Sequence, residues 1–406
     1  MSTNVSIAID IPIAPTLSPD EKISLLQRAL AIAPNATYLR VDLATLLAQR
    51  DQFDAALSLL VNIDSLSKEM SFRACMSRGN AALGKETAEW NEHARKSFEQ
   101  ATTLAPGPRF LAQALAQLGK AQIRTGDLEE ARRRLISALA TNPLNSDAQK
   151  RLTAMDLSQG REAETLDRCE ELIASSVLNS RLLSDRYLAL ALLGRAGEAQ
   201  ATEALDVFFP SLAPPPPVGW DTVEDFNSSL QAEMVTHPAL RYERYGTASS
   251  RSWRIDNPQL RDRTPALSAL LSVFQREIQQ QVALIPETHL LGRARPKRAL
   301  LKTWCVLTQA NGYEEWHMHQ SGWISGVYYI AVPEEVDRAS DNRGCIEFGN
   351  PVLSHIPREI PGERRTLRPR PGRLLMFPSQ AFHRTFPSTS KAWRMAMAFD
   401  LIPIYH

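Results

Sequence analysis

The spacing of apolar residues divides the chain into two unlike halves. From residue 15 to about 209, Ala and Leu recur at intervals of three and four, and short polar turns such as Thr125-Gly126-Asp127 interrupt them. Apolar side chains at this spacing form one stripe along a helix. The first half therefore predicts a series of short amphipathic helices.

These predicted helices repeat a common pattern of small and large residues. One unit contains Leu115, Gly119, Ala131, Leu135, Ala138 and Pro143, and its second helix is reproduced by Ala94, Phe98, Ala101 and Pro106. This spacing resembles that of tetratricopeptide repeats, in which small residues stand where two helices approach closely. Apolar periodicity alone also permits an ordinary bundle, but the recurrence favours a helical solenoid of roughly four to five units over residues 15–209.

A proline-rich segment separates the two halves. Residues 210–219 include a run of prolines, Pro214 to Pro217, which cannot form helix and predicts a short, semi-rigid spacer. Beyond it we predict helices over Val223–Val235 and Pro265–Val282, with a strand pair between 240 and 255. We assign this segment to a second domain, residues 220–406.

The region after residue 300 alternates apolar and polar positions, as β-strands do, and contains three notable histidines. His317 and His319 precede an aromatic strand, and His383 follows a β-patterned run. A gap of one residue lets two side chains of an extended chain point the same way. An iron that activates oxygen is held on one face only, with imidazoles among its usual ligands. We therefore predict His317, His319 and His383 as metal ligands.

The same region resembles the 2-oxoglutarate/Fe(II)-dependent oxygenases of the double-stranded β-helix, or jelly-roll, fold. Within them it is similar to a bacterial and phage family with an H-x-H motif. The resemblance covers about residues 300 to 400 and implies a jelly-roll core over about 300–402, Fe(II) as the metal, 2-oxoglutarate as cosubstrate and consumption of O₂. The motifs that carry it are His317-Met318-His319, Ser325-Gly326-Val327-Tyr328-Tyr329, Gly344-Cys345-Ile346-Glu347-Phe348, the segment from Gly372 to Ser379, His383 and Arg394.

His319 departs from the wider superfamily, in which Asp or Glu stands at this position. Three neutral imidazoles would give the metal one negative charge fewer than two imidazoles and a carboxylate. Two alternatives remain open, because Glu314 or Glu315 could supply a carboxylate, or His319 could donate a hydrogen bond that orients another ligand. We favour His319 as a ligand, since the subfamily that this chain resembles carries His there.

Arg394 is the predicted partner of the far carboxylate of 2-oxoglutarate. A guanidinium presents two parallel N–H groups that match a carboxylate, and the alternation beginning at Arg394 places it on one face with Ala396 and Ala398. The resemblance adds Tyr329 as a hydroxyl donor to the same carboxylate, which sends its neighbour Tyr328 to the opposite face. Arg384 is an alternative cation, and Trp393 is interpreted as packing.

Composition excludes few classes of protein. The formal net charge is +1, which does not favour a nucleic-acid partner. Neither a signal peptide nor an apolar run long enough to span a membrane is evident. The four cysteines lack C-x-x-C spacing, which favours free thiols in a reducing compartment and hence a cytoplasmic location. The cysteines are Cys75, Cys169, Cys305 and Cys345.

Together these features predict a dioxygenase that hydroxylates a C–H bond on a peptide or protein side chain, recognised with the help of the repeats. Two alternatives remain. The enzyme could hydroxylate a small metabolite or lipid, with the repeats forming a homodimer, or the chain could be an inactive binding or scaffold protein. The sequence does not identify the substrate atom, nor does it distinguish hydroxylation from desaturation or demethylation.

Overall fold

The predicted architecture, an array of helices followed by jelly-roll sheets, is confirmed. A computed structural model describes residues 6–12, 17, 19–61, 63, 67–242, 248–260 and 263–404. Its helices are α1 Pro19–Ile32, α2 Thr37–Ala48, α3 Phe53–Leu59, α4 Lys68–Gly84, α5 Ala88–Leu104, α6 Pro108–Thr125, α7 Leu128–Thr141, α8 Ser146–Ser158, α9 Glu162–Ala174, α10 Ser180–Leu192, α11 Ala196–Glu203, α12 Val223–Val235, α13 Pro265–Val282, α14 Leu290–Arg293 and α15 Glu334–Asp337.

The repeated small residues lie where paired helices touch. A Cβ atom added to Gly119 of α6 would lie 2.9 Å from Cγ of Leu135 in α7, and one added to Gly79 of α4 would lie 2.5 Å from the ring of Phe98 in α5. Both large partners are fully buried. Any larger residue at either glycine would push its two helices apart, which is the physical reason for the repeated pattern.

The chain forms two compact units, Leu17–Asp156 and a second unit made of Met1–Thr16 with Leu157–His406. The division falls at Leu157 rather than at the proline segment. The reason is that α9, α10 and α11 bury apolar side chains against the loops of the second unit, in a cluster that includes Leu166, Tyr187, Leu188, Ile356, Ile360 and Phe382.

The predicted domain limits, 15–209, 210–219 and 220–406, stay a proposal, and residues 15 and 406 lie outside the described residues. The proline segment begins as part of a sheet, because Ser211–Leu212 pairs with Leu374 and Leu375. Just before it, the ring of Phe209 packs edge-on against Phe348 at 5.0 Å. The start of the predicted spacer is therefore attached to the second unit.

Two sheets form the jelly roll. The larger has the order β2-β9-β6-β11-β5-β4-β3, with β1 added in parallel to β5, and the smaller has the order β10-β7-β8. The strands are β1 Ala8–Asp10, β2 Ser211–Leu212, β3 Arg241–Tyr242, β4 Ser249–Asp256, β5 Arg298–Glu314, β6 Ile324–Ala331, β7 Ile346–Gly349, β8 Arg364–Leu367, β9 Leu374–Pro378, β10 His383–Thr385 and β11 Arg394–Pro403.

The larger sheet has one face covered by helices and one face turned toward the smaller sheet. On the covered face, α12 and α13 pack against the strands, with Phe274 and Phe399 ring centroids 4.8 Å apart. The predicted helices Val223–Val235 and Pro265–Val282 are confirmed, and the predicted strand pair is β3 with β4. Among the described residues, no helix combines the length and apolar character needed to cross a bilayer.

The packing of α9 to α11 yields a prediction about truncated chains. Residues 157–406 should fold, whereas residues 204–406 should not unfold cooperatively, because removal of these helices exposes Ile356, Ile360 and Phe382. Exposing three large apolar side chains costs about 5 kcal/mol or more, a large share of the stability of a typical domain. Thermal unfolding followed by circular dichroism measures the difference. Both chains lack β1, so equal unfolding midpoints would show that the helices contribute little.

Candidate metal centre and cosubstrate pocket

Three histidines meet at one end of the jelly roll. His383 is the first residue of β10, whereas His317 and His319 lie in the turn between β5 and β6. His317 and His383 exchange both backbone hydrogen bonds, with N to O distances of 3.0 and 2.9 Å. Possible ligand atoms of the three side chains lie within 4.8 Å of one another. Backbone pairing thus brings together two motifs that are far apart in the sequence.

The hydrogen bonds of the rings fix which nitrogen carries the proton. Nδ1 of His317 donates to the Glu315 carbonyl at 2.7 Å, and Nδ1 of His383 donates to the Ala381 carbonyl at 3.0 Å. Nδ1 of His319 donates to the carboxylate of Asp400 at 2.6 Å. Because these acceptors cannot donate, every neutral ring carries its proton on Nδ1 and keeps a lone pair on Nε2. Three Nε2 atoms are therefore available to a metal ion.

The surroundings favour neutral rings. Burial and the neighbouring imidazoles of His317 and His319 hold the pKa of His383 well below its usual value. Burial also lowers the pKa of His317, although Glu314 opposes this shift. Burial disfavours the charged form of an imidazole, and two protonated rings at this spacing would repel each other. Neutral imidazole is the form that binds metals.

Asp400 is a site residue that the sequence analysis missed. Its carboxylate is 8% exposed and accepts hydrogen bonds from His319 and from the hydroxyl of Ser325, the latter at 2.7 Å. Burial alone would raise the pKa of Asp400, but the His319 ring beside it keeps the pKa below its usual value. The sequence contains a signal for it, because Asp400 continues the alternation that places Arg394, Ala396 and Ala398 on one face.

A cavity between the two sheets extends from the histidines to Arg394 and Tyr329. The small side chains of Ala396 and Ala398 line it, as the alternation predicts. Arg394 is 7% exposed, its Nε donates to the Gly344 carbonyl at 3.1 Å, and its guanidinium carbon lies 5.5 Å from the centre of the Tyr329 ring. The cavity thus has possible metal ligands and a buried cation in its wall.

The Tyr329 hydroxyl is buried and forms no hydrogen bond in the part of the chain that the structure describes. Burial raises the pKa of Tyr329 to about 12, although the Arg394 guanidinium beside it opposes that shift. An unpaired buried hydroxyl next to a cation is a ready donor to an anionic ligand. Tyr328 points the opposite way, and its hydroxyl donates to Asn227 of α12 at 2.8 Å.

The two glutamates considered as carboxylate ligands lie outside the group of three histidines. Glu314 approaches the group, with Oε2 3.7 Å from Nε2 of His317, while its Oε1 accepts a hydrogen bond from Ser249 at 2.8 Å. Glu315 is exposed and contributes its backbone carbonyl to His317. The group of ligand atoms within 4.8 Å of one another consists of the histidines.

Arg384, the alternative cation for the cosubstrate, lies away from the cavity wall. Its guanidinium forms an ion pair with Glu347 at 2.7 Å and stacks on the Trp316 ring at 4.9 Å. Trp393 is partly buried and packs against the core of the larger sheet. Arg394 is therefore the arginine that lines the cavity with His319 and His383.

Helix α10 supports the turn that carries His317 and His319, a contact that the sequence did not indicate. The Ser180 hydroxyl donates to the Gly322 carbonyl at 2.6 Å. The Arg181 guanidinium contacts Sδ of Met318 at 3.1 Å and donates to Oε1 of Gln320 at 3.3 Å. The last helices of the repeat-like region therefore help to hold the histidines in place.

Solved structures with similar folds include oxygenases and repeat proteins. A prolyl-4-hydroxylase of Pseudomonas putida is 14% identical, over 51% of this chain and 98% of that chain, with a TM-score of 0.34. YrrB, a TPR protein with an unusual peptide-binding site, is 16% identical over 45% and 92%, with a TM-score of 0.32. HygX from Streptomyces hygroscopicus, solved with nickel and 2-oxoglutarate, is 12% identical over 50% and 85%, with a TM-score of 0.33. At these values the similarities do not specify an activity for this chain.

A protein-family model gives the firmest comparison. No curated protein matches the chain, but residues 302–400 match the family described as putative 2OG-Fe(II) oxygenase. The match includes all three histidines, Tyr329, Arg394 and Asp400. Fe(II) and 2-oxoglutarate are the cofactor and cosubstrate of such enzymes, and the histidine group fits the metal. The chain therefore carries a 2OG-Fe(II) oxygenase domain at residues 302–400, preceded by tetratricopeptide-like helices.

Proposed function

We propose that this 2-oxoglutarate-dependent oxygenase hydroxylates a C–H bond on a peptide or protein side chain, which the repeat helices help to bind. The observation that carries the oxygenase part is the set of three Nε2 lone pairs beside a cavity that also contains Arg394 and Tyr329. His317, His319 and His383 would hold Fe(II). Arg394 and Tyr329 would bind the far carboxylate of 2-oxoglutarate, since a guanidinium and a free hydroxyl are both donors.

Bound Fe(II) and 2-oxoglutarate supply the activation of O₂ that leads to oxidation of a C–H bond. The chain contributes orientation and exclusion of water. The His319 ring is held by Asp400 on one side and packs edge-on against Trp304 at 5.3 Å on another. Phe377 and Ile346 add apolar surface to the cavity wall. A dry, preorganised wall strengthens every polar contact to the anionic cosubstrate.

The support for a peptide substrate comes from one face of α6. Gln117, Lys120 and Arg124 stand three and four residues apart, so their side chains share a face of this helix. Nε2 of Gln117 donates to Asp147 of α8 at 2.8 Å, and Nη1 of Arg124 donates to the Leu83 carbonyl of α4 at 2.8 Å. The first helices of three successive pairs therefore lie side by side and present a continuous surface.

That surface accumulates positive charge around Lys120. Burial lowers the pKa of Lys120, and the nearby guanidinium groups of Arg151 and Arg124 lower it further, whereas Asp147 opposes the shift. Arg151 is paired with Asp147 at 2.9 Å, and Arg124 lies 3.5 Å from Glu86. Lys120 is therefore the cation of this face that is repelled by its neighbours and lacks such a pair among the described residues. Acidic side chains of a bound peptide would relieve this repulsion. We infer that the substrate is an extended segment that carries Asp or Glu in addition to the oxidised residue.

The metal assignment predicts the effect of removing each histidine. Replacing His317, His319 or His383 by Ala should weaken Fe(II) binding by at least about 100-fold, since even groups that only support a ligand change affinity by about 10- to 100-fold. Turnover of 2-oxoglutarate should be lost. Anaerobic metal titration and succinate release measure the two effects. His93→Ala is the control, because His93 lies on α5 with its side chain 56% exposed. Full activity of any of these three variants would show that the replaced histidine is not a metal ligand.

The cosubstrate assignment distinguishes two arginines. Arg394→Leu should weaken 2-oxoglutarate binding roughly 10- to 100-fold, because a charge-assisted hydrogen bond contributes about 1.5 to 3 kcal/mol. Iron content should stay unchanged. Arg384→Leu is the matched control, since Arg384 pairs with Glu347. The 2-oxoglutarate concentration at half-maximal succinate release gives the comparison, and a loss of affinity confined to the Arg384 variant would contradict the assignment.

If the α6 face binds the substrate, a substitution on that face should reduce oxidation of the substrate without changing turnover of 2-oxoglutarate. Lys120→Glu should reduce oxidation of the protein substrate about two- to tenfold, in keeping with about 1 kcal/mol for a partly exposed ion pair. Decarboxylation of 2-oxoglutarate without substrate should not change. Lys96→Glu, at a side chain that is 66% exposed on α5, is the control.

The measurement is mass spectrometry of cellular proteins incubated with the reconstituted enzyme, 2-oxoglutarate and air. Proteins that gain one oxygen are quantified for each variant. Equal oxidation by the wild type and the Lys120 variant would favour a small-molecule substrate or a purely structural role for the repeats. Decarboxylation with no oxidised protein would favour the small-molecule alternative.

A further inference from the structure

A metal held by three imidazoles receives no negative charge from its ligands. Sites of the commoner kind, with two histidines and one carboxylate, offset half of the charge of a divalent ion. Here the three ligand positions His317, His319 and His383 are imidazoles, which bind metals in their neutral form. The cavity is also largely buried, so an uncompensated charge is costly there. Two carboxylates near the histidines can offset the remaining charge of Fe(II): Glu314, which lines the cavity with Oε2 3.7 Å from Nε2 of His317, and Asp400.

Asp400 is positioned to supply that charge from behind His319. Its Oδ1 accepts from Nδ1 of His319 at 2.6 Å and from the hydroxyl of Ser325 at 2.7 Å, and the Ser325 and Ser379 hydroxyls are 2.7 Å apart. One hydroxyl group and one ring therefore fix the carboxylate directly, and the Ser379 hydroxyl contacts that of Ser325. The backbone of Asp400 is fixed as well, because it pairs with Lys302 on β5 and with Ser325 on β6.

The carboxylate has no side-chain cation as a direct partner. Among the described residues, the ion pair formed by Asp400 is with His319, which is charged only if protonated, and no Lys or Arg contacts its oxygens. A buried carboxylate is stabilised by a positive charge beside it. A divalent ion on the opposite nitrogen of the same imidazole would provide such a charge. The observed geometry therefore suits a ring that is a metal ligand.

We propose that Asp400 is a positioning residue that acts through His319, fixing its ring and giving the three-histidine site the negative charge that a ligand carboxylate gives elsewhere. The inference rests on the metal-binding part of the proposed function. On this proposal His319 and Asp400 act as a pair. Replacing His319 alone by the carboxylate residue of a site with two histidines and one carboxylate should therefore not preserve metal binding.

The pairing changes what is expected of a carboxylate at position 319. In His319→Asp, an oxygen would take the place of Nδ1 and face the Asp400 carboxylate, which lies 2.6 Å from that nitrogen. Two carboxylates this close cannot both stay ionised without a large cost. The exchange should therefore retain metal only if the charge on Asp400 is removed at the same time.

The experiment measures Fe(II) and Zn(II) affinity of the full-length, metal-free protein by anaerobic competition with a coloured chelator. The variants are Asp400→Asn, His319→Asp and the double variant. Asp400→Asn keeps the shape and an acceptor oxygen but removes the charge, and it should weaken metal binding about 10- to 100-fold. The double variant should bind metal at least about tenfold more tightly than His319→Asp. Asp206→Asn is the control, because Asp206 is a 63% exposed partner of Arg365.

Thermal unfolding of the metal-free protein separates this role from a purely structural one. Added Zn(II) should raise the unfolding temperature of Asp400→Asn by less than it raises that of the wild type. A lower unfolding temperature with unchanged metal affinity would overturn the proposal, as would equal affinities of the His319→Asp and double variants. A wild type that binds metal but does not turn over 2-oxoglutarate would contradict the proposed function. The role of Asp400 would then still be decided by the metal affinities of the variants.

Discussion

Three imidazoles within 4.8 Å of one another can bind a metal ion only as neutral rings, and each then needs a partner for its remaining N–H group. This constraint explains much of the site. Two rings donate to backbone carbonyls within their own turns, and the third donates to Asp400. Each bond fixes the tautomer of its ring and leaves Nε2 with a free lone pair. The turn after β5, the start of β10 and the end of β11 must all be in register for this arrangement to exist.

Strand β11 connects the site to the core. Its odd-numbered residues, such as Met397 and Phe399, are buried beneath α13, whereas its even-numbered residues line the cavity or hold His319. A shift of one residue would exchange these two sets completely. The packing that stabilises the larger sheet therefore also fixes Arg394 and Asp400 relative to the histidines. Substitutions of Met397 or Phe399 would therefore affect the metal site indirectly, by changing the register of β11.

The repeat-like region contributes to the protein in two ways. Helices α9 to α11 pack within the second compact unit, and α10 holds the turn of His317 and His319 through Ser180 and Arg181. Helices α1 to α7 and most of α8 form the other compact unit, in which one face of α6 carries Lys120 and Arg124. A single pattern of small and large residues thus serves two purposes. In one part it supports the metal site, and in the other it provides a surface suited to binding.

The sequence by itself determined the elements and the chemistry. Spacing of three and four located the helices, as in Val223–Val235 and Pro265–Val282, and alternation placed Arg394 with Ala396 and Ala398 and sent Tyr328 away from Tyr329. These features are local, because side-chain direction follows from helix or strand geometry over a few residues. Ordered motifs then indicated the family.

Only the tertiary structure decided which polar groups complete the site. The pairing of His319 with Asp400 joins residues that are 81 positions apart, and the support of Gly322 by Ser180 joins residues 142 apart. The packing of α9 to α11 against Ile356 and Phe382 is equally non-local. Such contacts depend on the register of three strands and on the docking of helices that follow separate periodicities. No local pattern encodes that docking, because each partner alone is an ordinary residue on its own element.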